Sequence, residues 1–248
     1  MFVAVARIPE DPAALARAAV IAGLAQVDAT RMLTGLLPRV LVRGTKEGPR
    51  LVEALEAAGF TAFAAEPSAV PTDRHRVVAR GFAFQGAELV VTDTRGQAHA
   101  CPADAITSLL RGFRQVESTE IHTSTERKLD IGKAILTSGL MISKKVETTS
   151  ERRTTSREPF LLLQRQDGQP GIIFYEHRVQ YQGLGADLQH ARTANFTALA
   201  ERLRAYAPRA PLDDRMLRPG FMGGLPPLAA DPADLAVFLV SEALARGC

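Results

Sequence analysis

Three short apolar runs rich in β-formers, "FVAVARI" (2–8), "RVLVRG" (39–44) and "FTAFAAE" (60–66), are held apart by stretches patterned for helices. Strands so spaced cannot meet through tight hairpins, and must build a sheet whose connections are helical. After the first run, "PEDP" offers Asp11 as a helix cap and Pro12 as a first helical residue. Leu15, Ala19 and Ala22 then recur at helical spacing up to Gly23. "QVDATRMLTGL" predicts a second helix with Val27, Leu33 and Leu36 facing inward, and "TKEGPRLVEALEAAG" (45–59) predicts a third, from Thr45 to Gly59. The expectation for residues 1–67 is a β-α-α-β-α-β module with Leu41, Val42, Leu51, Leu55 and Phe63 in its core.

Residues 23–66 carry "GL" followed by the pair Asp28-Ala29, Pro38 before the second strand, and a helix ending "ALEAAG" before the third. In these features the segment resembles the C-terminal domain of ribosomal protein L7/L12, whose fold the ClpS adaptor shares. The resemblance implies a small α/β domain of a kind that docks protein partners. It does not extend to function, because the family's lysine-rich face is reduced here to Arg17 and Arg31, and the ClpS pattern for gripping an N-terminal amine is missing.

"PSAVPTDRH" reads as a linker, placed at 68–75. Beyond it, "RVVARGFAF" (76–84), "AELVVTD" (87–93) and "QAHACP" (97–102) predict three strands with turns at Gln85-Gly86 and Arg95-Gly96. "ADAITSLLRG" (103–112) predicts a short helix and "FRQVESTEIHTST" (113–125) another strand. "EPFLLLQR" (158–165) and "GIIFYEHRV" (171–179) predict a hairpin. In "RTANFTALAERLRAYA" (192–207), Phe196, Leu199, Leu203 and Tyr206 share one helical face, and Pro208 ends it. Strands followed by one amphipathic helix resemble a PH-like or GRAM-like barrel capped by that helix. The fold class is therefore α+β: the small module, then a mostly antiparallel β domain over 76–207 with a capping helix. Residues 208–248 complete it as a Pro- and Gly-rich connector and a C-terminal helix, capped by Asp231 and carrying Leu235, Phe238, Leu239 and Leu244 as an apolar side.

Formal net charge is only +3, and its distribution is uneven. Residues 127–157 hold Arg127, Lys128, Lys133, Lys144, Lys145, Arg152, Arg153 and Arg157 against Asp130, Glu147 and Glu151, so the rest of the chain nets to −2. This stretch is expected to be a basic loop, with 144–157 a mobile, solvated arm. Its cations are the candidate binding residues for nucleic acid or anionic lipid, the latter through 134–145, where nine mostly apolar residues sit between lysines.

Catalytic patterns do not assemble. Gly132-Lys133 lacks both the glycine that a phosphate loop needs at position 127, which is Arg, and the hydroxyl that should follow the lysine, which is Ala134. His99 and Cys101 are the only close soft pair, short of the four ligands of a zinc site, and they are expected to share one strand face. Glu176 and His177, read as adjacent strand residues, point apart. Asp213 and Asp214 read as a loop salt-bridged to Arg215 and Arg218. Two cysteines, Cys101 and the terminal Cys248, make no disulfide framework, and no signal peptide or membrane span is evident. The expectation is a cytoplasmic, non-enzymatic adaptor or scaffold that binds another protein, without metal or cofactor. The runner-up is a nucleic-acid-binding protein using the basic stretch. The terminal helix is expected to dock on its own chain or on a partner.

Overall fold

In the computed structural model the backbone is described for all residues except Ala87, 130–142 and Pro219, and the side chains for all but these and 117–154. The chain forms two compact units, one of residues 1–114 with 158–248, the other of residues 115–157.

In the first unit, β1 (Phe2–Arg7) lies between β2 (Arg39–Arg43) and β3 (Thr61–Ala65), antiparallel to both. Helices α1 (Ala14–Ala22), α2 (Gln26–Leu33) and α3 (Gly48–Ala57) connect them. Alternation along β1 sorts its side chains onto two faces. Val3 and Val5 pack with Ala18, Leu33 and Leu55 of the helices. Phe2, Ala4 and Ala6 face the other way, with Phe63. Both faces are buried, which is why the run is apolar almost without interruption.

The second sheet is mixed, with strand order β10-β7-β8-β9-β4-β5-β6. Its strands are β4 (Val77–Gln85), β5 (Glu88–Asp93), β6 (Ala98–Pro102), β7 (Ile106–Leu129), β8 (Ser143–Arg165), β9 (Ile172–Tyr175) and β10 (Leu212–Asp213). β4 runs parallel to β9 and antiparallel to β5. Helix α4 (Arg192–Tyr206) lays Phe196, Leu199 and Leu203 on one face, against Leu109, Leu161 and Phe174.

Helix α5 (Pro232–Ala245) packs on the other face of each sheet, over β7, β8 and β9 in the larger one. Ala233, Ala236, Val237 and Val240 recur every three or four residues and pack on Leu110, Phe160, Leu162 and Ile173 of the seven-stranded sheet. Leu235, Leu239 and Ala243 form a second stripe against Phe2, Ala4 and Phe63 of the three-stranded sheet. A helix apolar on two sides belongs inside a fold. Asp231 starts it, its carboxylate accepting the Ala233 N–H at 2.8 Å, with Pro232 in the first turn.

Several local expectations need correction. Residues 103–112 are not a helix: a 3-10 turn at Ala103–Ala105 leads directly into β7. Leu109 and Leu110 are both fully buried on opposite faces, a two-sided burial that a strand satisfies and a one-sided helix does not. Val27 is 72% exposed and Leu36 lies past the end of α2, so only Leu33 of that trio points inward as a helical residue. Asp11 does not cap α1 itself; it accepts the Ala13 N–H at 2.8 Å one turn earlier and pairs with Arg17. Residues 144–157 are strand, the first part of β8, where Val146 and the threonine pairs 148–149 and 154–155 suit an extended backbone. Glu176 and His177 follow β9 in a turn instead of lying in it. The connector is pinned by Met216 and Phe221, 2% and 0% exposed.

Leu239→Ala is expected to cost about 2–5 kcal/mol in urea unfolding, whereas Val27→Ala should stay within about 0.5 kcal/mol. Equal effects at the two positions would contradict the burial of α5.

Candidate functional site

The segment expected as a linker supplies a polar hub. Asp73, in a 3-10 turn (Asp73–His75), accepts the Tyr175 hydroxyl at 2.8 and 2.9 Å through its two oxygens. Arg114 Nη1 donates to Asp73 at 3.0 Å and to the Tyr175 hydroxyl at 2.9 Å. Arg76 donates to Asp234 at 2.5 Å and to the Pro71 carbonyl at 2.8 Å, and Arg114 Nε stands 3.5 Å from Asp231. The hub thus joins the segment before β4, strands β7 and β9, and the first turn of α5. Arg114 and Arg178 flank the Tyr175 ring at 5.0 and 4.5 Å from its centroid, and Arg178 is held by both oxygens of Glu158.

The chemistry this arrangement supports is structural. Tyr175 both donates and accepts, so its hydroxyl is already engaged. Burial first, and then the Asp73 carboxylate, hold its phenol well above the ordinary tyrosine value. Burial likewise raises Tyr181, whose hydroxyl donates to the Glu176 carbonyl at 2.8 Å. Tyr206 is raised by burial too; it accepts the Leu89 N–H at 2.9 Å and donates to the Cys101 carbonyl at 2.7 Å. Cys101 is fully buried and burial raises its thiol, which suits packing and not nucleophilic attack. His99 shares its strand face but turns to Asp93 at 3.1 Å.

A second polar feature lies in a groove of about 590 Å³ lined by α2, β2 and residues 220–226. Arg39, 6% exposed, lies in its wall and donates Nη1 to the Phe221 carbonyl at 2.8 Å and Nη2 to the Gly220 carbonyl at 2.9 Å. Its guanidinium carbon is 5.4 Å from the Phe221 ring centroid, while its Nε is buried without a partner. No carboxylate of the described residues lies within 4.0 Å of it. Burying an ion without a counter-charge costs on the order of several kcal/mol, and burial lowers the Arg39 pKa from its usual value. The Gly224 backbone presses so close that an added Cβ would stand 2.1 Å from Arg39 Nη1. Arg31 and Arg43, both exposed, line the same groove with Asp28.

The residues singled out in the sequence are distributed differently. Arg127 and Lys128 are on β7; Lys144, Lys145, Arg152, Arg153 and Arg157 are on β8; Lys133 lies outside the described residues. Leu235 and Leu239 are fully buried within this chain, Phe238 meets Phe2 and Phe63 edge-on at 6.2 and 6.3 Å, and Leu244 packs against the cluster around Phe160. Asp213 and Asp214 pair with Arg215 at 2.6 Å and Arg218 at 3.5 Å. Cys248 is half-buried beside α5, and its carbonyl accepts from Arg215 at 3.2 Å. Among the described residues no three His, Cys, Asp or Glu side chains are grouped to hold a metal, and no helix is long and apolar enough to cross a membrane.

Sequence reasoning missed Asp73, Arg114, Tyr175 and Arg39. Their partners lie far away along the chain, and nothing in the local spacing marks them. Comparison of the chain with family profiles, curated proteins and solved structures finds no match.

Tyr175→Phe should destabilise the protein by about 1–3 kcal/mol, since it strips a buried partner from both Asp73 and Arg114; no loss in a urea melt would contradict the hub. Unfolded tyrosines ionise near about pH 10, and all three here are held above that, so the native state keeps protons that the unfolded state releases. Their contribution to stability is therefore complete below about pH 10 and is lost as pH rises toward the folded values. Phenolate absorbance is expected to stay silent through about pH 10 in the native protein and to appear together with alkaline unfolding. A tyrosine titrating near about pH 10 without unfolding would contradict this.

Proposed function

We propose that this protein is an adaptor that binds another protein, and that residues 115–157 are the binding element. The observation that carries the reading is the strand pairing of that unit. β7 continues to Leu129 and β8 begins at Ser143, yet among the described residues β10 meets β7 only at Leu109 and Leu110, and β9 meets β8 only at 160–163. Among the described residues, the ribbon of 115–129 and 143–157 therefore has two strands and two unpaired edges. An isolated two-stranded ribbon is marginal in water, and open edges are templates for strand addition. A partner that adds a strand or covers a ribbon face supplies what the pair lacks. The resemblance of residues 23–66 to the L7/L12 and ClpS fold, and of the strand-rich part to PH-like domains, belongs to the same proposal, since the first is a fold whose members dock protein partners.

The basic residues on β7 and β8 favour an acidic partner surface. Nucleic acid would meet the same charges, but its affinity would fall steeply with salt. The test replaces 115–157 by a short turn, confirms by circular dichroism and melting that the body folds, and compares cross-linked partners of the two forms in cells. A protein captured by the full chain, lost with the ribbon, and retained after nuclease and moderate salt is the expected result. Ribbon-dependent capture that nuclease abolishes, or identical partners for both forms, would overturn it.

A further inference from the structure

We infer that the groove formed by α2, β2 and the 220–226 connector binds a small phosphate-bearing ligand through Arg31 and Arg43, with Arg39 as the charge behind them. This site is separate from the ribbon and stands or falls independently of the adaptor reading. Three guanidiniums line the groove against one carboxylate, Asp28. Among the described residues, none of the three has an acidic side chain within 4.0 Å. Four half-buried arginines of this unit, Arg76, Arg114, Arg165 and Arg215, by contrast each hold an aspartate. A local balance of two positive charges matches a phosphate group, which carries about −1.5 to −2 at neutral pH. Planar guanidinium forks suit its oxygens.

Geometry agrees with charge. A volume of about 590 Å³ falls within the range of small-molecule sites. Arg39 cannot move out to meet solvent, because two carbonyls, the Phe221 ring and the Gly224 backbone hold it from different sides. Its charge is therefore fixed and pre-oriented in the wall. Arg31 and Arg43 are exposed and can close on a ligand from the two rims. Met32, Leu225 and Pro226, all partly exposed, offer apolar surface for the organic part of the molecule.

The test is calorimetry and thermal melting of the full chain with inorganic pyrophosphate and with glycerol 3-phosphate, at ionic strength held constant with sodium chloride. Saturable binding and a melting temperature that rises with ligand are expected. The double variant R31Q/R43Q, altered only at exposed positions, should keep its ligand-free melting temperature and bind at least about tenfold more weakly. Asp28→Asn, which removes the opposing charge, should bind more tightly. A parallel arm uses phosphatidylcholine vesicles with and without phosphatidic acid. Arginine-dependent binding to the acidic vesicles alone would identify the phosphate as a lipid headgroup, and binding to the soluble probes would identify a free metabolite. No saturable binding to any probe, or equal binding by R31Q/R43Q, would overturn the inference.

Discussion

Burial of one helix on two sides holds the larger unit together. α5 gives Ala233, Ala236, Val237 and Val240 to one sheet and Leu235, Leu239 and Ala243 to the other. Without it, the aromatic face of β1 and β3 and the Phe160–Tyr175 face of the larger sheet would both meet water. Each large side chain so exposed forfeits roughly 1.5–3 kcal/mol. The first stripe is built of alanines and valines, and the second of two leucines and an alanine packed with Phe2 and Phe63. Neither sheet has a complete core of its own.

The polar hub explains why this docking has one geometry. Apolar stripes tolerate sliding; hydrogen-bonded charges do not. Asp231 and Asp234 stand in the first turn of α5 and reach Arg114 and Arg76, and Asp73 ties both arginines to Tyr175. Desolvation pushes the Asp234 pKa up, and the Arg76 guanidinium opposes that shift. The pair is thus a register mark first and a source of stability second.

How much of this was legible in the sequence depended on range. The order of the first six elements could be read because Gly23, Pro38 and Gly59 punctuate locally and the apolar spacing changes between them. The end helix was legible for the same reason, with Asp231 and Pro232 before an apolar run. What failed was burial decided elsewhere. "AITSLL" has no local mark that says both Leu109 and Leu110 will be covered; only the arrival of α4 on one face and α5 on the other makes it a strand. Val27 sits at helical spacing, but no described element covers it. Arg39 is the clearest case at the candidate site. On paper it is a strand-end cation next to Pro38, and only the carbonyls of Gly220 and Phe221, over 180 positions away, reveal it as buried.

That separation has a kinetic meaning. β1 and α5 lie at opposite ends of this sequence, and loop closure over such a span must precede any reward from their contact. The two sheets can form from nearer neighbours, yet until α5 arrives each displays a bare apolar face. Folding should therefore pass through a species with its strands made and its central helix undocked. Such a species is slow to mature and ready to join its exposed faces to those of another copy. For this chain, the hazard of misassembly and the closing of the fold are the same event seen at different concentrations.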